Sequence, residues 1–299
     1  MTEPHSAESD SADPDSADLD SAEPDSAEPD SAESDRAESD RADPDRADPD
    51  RAGPDGGAPV VRLIARTAFT APQNLPFTTD AEGGQALAEF AGRSIYRSWE
   101  RNNPATNTNA AFLRHLIEVG HLSVLEHSTA TFYLEGVSRS ATQEMQRHRH
   151  FSFSQLSPRS APAGVVEPAV IAADPLLHQR FSEAVRAAET AYAELLAGLE
   201  QSMQDRPDGA LAGKQARQAA RAILPAGLST AFVVTGNYRA WRHFIGMRAT
   251  EAADVELRTL AVLLLRALQS EAPHVFADFR ISALADGTET AASPLVGDG

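Results

Sequence analysis

The chain has 299 residues, with 44 acidic and 26 basic side chains, a formal net charge of −18 and no cysteine. Without thiols there are no disulfides, no thiolate-bound zinc or iron–sulfur cluster and no cysteine nucleophile. No apolar run reaches the roughly 18 residues of a membrane span, and the acidic N-terminus lacks a secretory pattern, so the cytoplasm is the expected compartment.

Residues 1–57 repeat a five-residue unit, first Asp-Ser-Ala-Glu-Pro and later Asp-Arg-Ala-Asp-Pro. They hold 20 acidic residues and four arginines, which leaves 24 acidic and 22 basic residues in the rest of the chain. The low pI therefore belongs to the repeat. With almost no large apolar side chain it cannot offset the entropy of ordering, and a disordered acidic tail is expected. One folded domain is expected over residues 58–285, with a flexible C-terminus over 286–299.

Residues 59–66 are short and β-branched and read as a strand. Residues 84–98 read as a helix. Asn107, Thr108 and Asn109 offer a cap for a second helix through Phe112, Leu113, Leu116 and Ile117, stopped by Gly120. Residues 128–136 alternate in polarity as a strand does, and Ser138 then caps a helix through Arg147. Residues 150–166, with their serines and prolines, read as loop. A long alanine-rich helix is predicted over 176–204 and another over 208–223, ended by Leu224-Pro225. Val233-Val234 suggests a short strand, and helices follow over 237–246 and 251–271. This balance predicts an α+β (α/β layered) fold, a mixed sheet packed with several long helices.

The densest chemistry lies in Arg147-His148-Arg149-His150-Phe151-Ser152-Phe153-Ser154-Gln155-Leu156-Ser157-Pro158-Arg159. Such a segment is costly to bury unless an anion meets it, and guanidinium forks suit phosphate oxygens. It points to a phosphorylated, planar ligand; the plainer reading is a solvated basic helix end. On the helix from Ser138, Arg139, Gln143 and Arg147 share one face, with Glu144 and His148 beside them. Ser157 sits in no Gly-x-Ser-x-Gly elbow, which favours ligand contact over a nucleophile. His121 and His127 flank Glu126; a structural histidine pair and a metal site both remain open, although no further ligand is spaced to close one. Lys214, Arg217 and Arg221 form one helical stripe, ordinarily a solvated face.

Arg147-His148-Arg149, seven residues, then Ser157 and Arg159 resemble the signature of flavin-dependent thymidylate synthases. Three further elements match in order. They are Gly120-His121-Leu-Ser123 through Glu126-His127, Ala220-Arg221-Ala-Ile-Leu224-Pro225, and the run that opens on Asn237 and closes on Arg248. The resemblance spans about residues 60–280 and makes residues 58–285 a catalytic domain. It implies reductive methylation of dUMP to dTMP, with methylenetetrahydrofolate as carbon donor and NADPH-reduced FAD as hydride source. It also implies a homotetramer with shared active sites, while the near-neutral domain and the lack of an apolar span give the expectation of no nucleic-acid or membrane partner.

Carried over residue by residue, the resemblance puts Arg139, Glu144, Met145, Gln146, Arg147, Gln155, Leu156, Ser157, Pro158, Arg159, Arg221 and Arg248 at dUMP. It puts His121, Ser123, Glu126, Arg147, His148, Arg149, Gln155, Asn237, Tyr238, Arg239 and His243 at FAD. Ser160 stands where family members commonly carry tyrosine. With no thiolate to add to the ring, an arginine beside the uracil carbonyl and N3 must stabilise the ionised base, and Arg248 is the catalytic candidate. Two other readings compete. One is a single-stranded nucleic-acid binder that stacks bases on Phe151 and Phe153, against which the near-neutral domain argues. The other is a flavoprotein that has lost synthase activity.

Overall fold

A computed structural model describes residues 59–101, 103–157, 164–206 and 209–296. The acidic tail, Pro158, Arg159, Ser160 and residues 297–299 lie outside the described residues.

Strands β1 (Val60–Arg66), β2 (Thr129–Ser138), β3 (Phe151–Gln155) and β4 (Ser229–Asn237) form one sheet in the order β1-β2-β4-β3. Every pairing is antiparallel, so the sheet mixes strands distant in sequence rather than strand directions. Alternation sets its faces: Ala130, Phe132 and Leu134 of β2 and Phe232 and Val234 of β4 are buried, with partly exposed residues between them.

Four helices precede the last long pair or lie between the strands: α1 (Gly83–Ile95), α2 (Asn109–Glu118), α3 (Arg139–Gln146) and the short α4 (Ala169–Ala172). The long α5 (Pro175–Met203) packs with α6 (Gly209–Ala220). Helices α7 (Tyr238–Arg248) and α8 (Val255–Glu271) cover the apolar sheet face. Trp241, Phe244 and Ile245 of α7 and Leu260, Leu264 and Leu268 of α8 join Phe132 and Val234 in one core. Burying each large apolar side chain contributes about 1.5–3 kcal/mol. The indole Nε1 of Trp241 donates to the Ala130 carbonyl at 3.1 Å, so its one polar atom is satisfied.

Local signals explain the helix starts. Thr108 Oγ1 accepts from Ala111 N, Ser138 Oγ from Ala141 N and Asn237 Oδ1 from Ala240 N, at 3.1, 3.0 and 2.8 Å. Gly120 takes φ +75° just after α2, where a Cβ would be strained.

Three features differ from the sequence reading. Residues 151–155, expected to be loop, form β3: Phe151 and Phe153 turn toward the core opposite Gly236 and Val234 while Ser152 and Ser154 face out. The serines that suggested a loop are the solvent face of an edge strand. The short strand at Val233-Val234 is the nine-residue β4 at the sheet centre. Finally, β5 (Arg280–Ala283) and β6 (Glu289–Ala292) form a hairpin, and the boundary drawn at residue 285 falls in its turn. Arg258 of α8 donates to Thr288 Oγ1 at 2.7 Å, and Ala291 N donates to the Ala249 carbonyl at 2.8 Å, which pins the hairpin to the end of α7.

Candidate functional site

Helix α3 is fixed at both ends. At its start the Glu256 carboxylate accepts from Ser138 N and Ser138 Oγ, each at 2.6 Å. At its far end Gln155 of β3 donates to Thr142 Oγ1 at 2.9 Å and accepts from Gln146 at 3.2 Å. The Arg147-His148-Arg149 run therefore emerges at a set place, where α3 stops and β3 begins.

There it meets Arg248 at the end of α7. Arg248 Nε donates to His148 Nε2 at 2.9 Å, and its Nη2 approaches Glu144 Oε2 at 3.5 Å. Glu144 also accepts from Arg147 Nη1, 3.2 Å from each carboxylate oxygen. One carboxylate thus faces two guanidinium groups, and one imidazole accepts from a cation, which requires Nε2 to be unprotonated. The ring packs edge-on to Phe244 with centroids 5.1 Å apart. Burial, then the charge of Arg248, then that of His243, push the His148 pKa down to about 4.

This shift has a testable sign. The unfolded chain takes up a proton at His148 near pH 6.5, while the folded chain resists until about pH 4. Between these values the unfolded state holds more protons, so stability falls as pH falls. Against wild type, His148→Gln should show a shallower loss of stability between pH 6.5 and 4; identical pH slopes in matched urea titrations would exclude the assignment.

A cleft of about 460 Å³ opens alongside. Its lining combines Glu126, Asn237, Arg239, His243, His150 and Arg242 with Leu122, Ala240, Leu295 and Val296. Arg239 pairs with Glu126 at 2.5 Å. His121 and Ser123 lie exposed on the same short turn of helix as Glu126, and Arg149 is exposed beside His150. Apolar side chains next to several cations suit a flat aromatic group carrying phosphates, and the size is that of a ligand pocket. Arg242 gives a sharper fit: it is 2% exposed and its Nε has no partner among the described residues.

A second cleft of about 600 Å³ lies at the other end of α3. Arg139, Gln143 and Arg221 line it, with Gln218, Leu224 and Pro225. The turn after α6 is tied there by Arg139 N donating to Leu228 O at 3.0 Å and Ser140 N to Ala226 O at 2.9 Å. The predicted nucleotide residues therefore fall into two groups within one chain: Arg139 with Arg221, and Glu144 with Arg147 and Arg248.

Other expected contacts land elsewhere. Met145 and Tyr238 are fully buried, so their side chains reach neither cleft. A Cβ on Gly84 would lie 2.5 Å from the Tyr238 hydroxyl, which shows how tightly that ring is enclosed. Leu156 is exposed and Ser157 partly buried, while Pro158 and Arg159 lie outside the described residues. Phe151 and Phe153, the stacking platforms of the nucleic-acid reading, pack against Trp241 and Phe232 with centroids 4.6 and 6.2 Å away. Sequence reasoning missed Leu295 and Val296 entirely. It also missed Arg242, whose signal was present: a lone cation on the apolar face of α7, between Trp241 and Ile245.

Two clefts of an α+β domain, each lined by arginines, suit a protein that holds more than one anionic ligand. The family model described as thymidylate synthase complementing protein matches residues 78–274. The flavin-dependent thymidylate synthases of Mycolicibacterium vanbaalenii and Mycobacterium tuberculosis H37Rv are each 58% identical over 238 residues, covering 79% of this chain and 95% of theirs. That of Mycobacteroides abscessus is 57% identical over 242 residues, covering 80% and 97%. The chain belongs to the flavin-dependent thymidylate synthase family.

Proposed function

We propose that this chain converts dUMP to dTMP, with FAD as its cofactor and NADPH and methylenetetrahydrofolate as co-substrates. The observation that carries this reading is Arg248, gripped by His148 and Glu144 at the mouth of the Arg147-His148-Arg149 turn. A guanidinium keeps its charge at any accessible pH, so it stabilises an anion and is a poor base. Against the uracil carbonyl and N3 it favours the ionised ring and makes C5 nucleophilic, as a thiolate would in another design.

The remaining roles follow from charge and place. Arg139 and Arg221 suit the nucleotide phosphate, and Gln155 and Ser157 its base or sugar. Asn237, Arg239, His243 and Glu126 suit FAD in the neighbouring cleft. Bound FAD, reduced by NADPH, supplies the hydride. His148 holds Arg248 in line and, staying neutral, adds no repulsion to it.

The two groups of nucleotide residues support a homotetramer in which one chain completes a site begun by another. Helix α5 supports it too: 29 residues long, it buries none of them in the single chain and leaves Leu176, Leu177 and Leu195 exposed. The catalytic domain runs from about residue 58 through the C-terminal hairpin, with the acidic repeat as an appended tail. Among the described residues no helix is long and apolar enough to cross a membrane, and the cytoplasm is the proposed location. The packed Phe151 and Phe153 count against a nucleic-acid binder.

Purified protein should be yellow, and dUMP should perturb its flavin spectrum. Tritium should leave C5-labelled dUMP only when NADPH and methylenetetrahydrofolate are present. Flavin binding without tritium release would instead favour a flavoprotein that has lost synthase activity.

A further inference from the structure

The cleft assigned to FAD has a wall that its family match does not reach. The matched segment ends at residue 274, yet Leu295 and Val296 line the cleft together with Arg239 and His243. These two residues are held in three ways. Behind them, β6 is bonded to the end of α7 through Ala291 N and Ala249 O. Before them, Ser293 Oγ donates to Asp278 and accepts from Leu295 N at 2.9 Å. Asp278 in turn takes both ends of the Arg242 fork at 2.6 and 2.7 Å. Burial opposes ionisation of Asp278, but the hydrogen bond and charge of Arg242, with the hydrogen bonds of Ser293 and the backbone, together keep the carboxyl below its ordinary value. Finally, Val296 lies directly over Gly246 of α7, so close that a Cβ there would collide with it.

Arg242 thus joins the floor of the cleft to its wall. Its two terminal nitrogens are committed to the segment that carries Leu295 and Val296, while it lines the cleft from α7. Burying an arginine is costly unless it is paired, and Asp278 supplies that pair. Leu295 and Val296 line the cleft together with Glu126 and Arg239. A lining that mixes apolar and charged side chains suits a flat aromatic ring with a polar edge.

We propose that residues 293–296 form a strap that builds one wall of the FAD cleft and retains the cofactor, anchored through Ser293, Asp278 and Arg242. This rests on the reading of the cleft as a flavin site. The strap acts on affinity for FAD, through apolar contact and exclusion of water, and takes no part in the chemistry.

Three variants test it: a chain ending at Ala292, Ser293→Ala and Gly246→Ala. Each displaces or frees the strap without touching Arg239, His243 or Arg248. Gly246→Ala is the most discriminating, because it displaces Val296 from α7 while alanine favours a helix interior over glycine, and its melting shows whether the fold is kept. FAD dissociation constants by equilibrium dialysis should rise about tenfold or more in all three, equivalent to about 1.4 kcal/mol. Melting of Gly246→Ala without added FAD should stay close to wild type, the gain in helix propensity offsetting the displaced Val296. Should the truncated chain fail to fold, Gly246→Ala and Ser293→Ala decide alone. FAD affinity within twofold of wild type in both overturns the strap while leaving the flavin reading intact. A full-length chain that does not bind FAD overturns that reading, and the strap with it.

Discussion

Arg248→Ala should lower kcat by about 10²–10³-fold, the usual loss when one preorganised donor to a developing anion is removed, with FAD still bound. The side chain is 24% exposed, enough to meet a ligand and little enough to be held still. Its contacts with His148 and Glu144 use Nε and Nη2, and the Nη1 edge belongs to neither. A guanidinium oriented by two neighbours before substrate arrives loses little on binding an anion, and this is why its removal acts on kcat. Arg248→Lys should recover little. An ammonium has no fork with which to keep both the imidazole and the carboxylate while facing a ring. Steady-state kinetics with flavin absorbance recorded on the same samples decide the matter. Near-normal kcat in Arg248→Ala would remove Arg248 from the chemistry; lost flavin colour would show that its role is in binding.

The same residues show how far the sequence reaches. Ser138 and Thr108 were legible as caps because capping is local: the acceptor lies three residues from its donor. The spaced Arg-His-Arg and serine pattern was legible for a similar reason, since a turn between a helix and a strand keeps its residues close in sequence. The partner of His148 was not, because Arg248 lies 100 residues away and meets it only after α7 has packed on the sheet. Glu256, which clamps the start of α3 from α8, is hidden in the same way across 118 residues. Strand β3 was misjudged because its serines carry turn propensity, and pairing with β4 overrode that weak local preference. The final hairpin did carry a mark, Asp286-Gly287 with Gly287 at φ +80°, but its flanking strands are only four residues each and bury a single residue fully, Ala291. Tyr238 and Met145 show the opposite limit. A motif fixes the place of a residue in the chain but not the direction of its side chain, and both point inward.

Glu89→Ala should destabilise the fold by about 3–5 kcal/mol, the range for breaking a buried ion pair from one side. Glu89 is fully buried on α1. Its carboxylate accepts from Arg93 Nε at 2.7 Å, Arg101 Nη2 at 2.9 Å, Asn109 Nδ2 at 2.9 Å and Thr79 Oγ1 at 2.7 Å. It gathers α1, the start of α2 and the loops on either side around one negative charge. Arg93 is 2% exposed, lies over the Phe112 ring at 4.2 Å and donates to the Thr106 carbonyl at 2.7 Å, so it cannot swing to solvent when its partner goes. Removing Glu89 leaves that cation buried with neutral acceptors only, and four donors lose their acceptor at once. Replacing both members, as Glu89→Leu with Arg93→Met, should cost less than Glu89→Ala alone, because the fully buried cation goes with its partner and Arg101 keeps Asp80 at 3.3 Å. Urea unfolding at one fixed protein concentration measures both variants, since subunit assembly would otherwise shift the midpoint. A loss below about 1 kcal/mol for Glu89→Ala would put the network in the class of surface ion pairs, contrary to its burial.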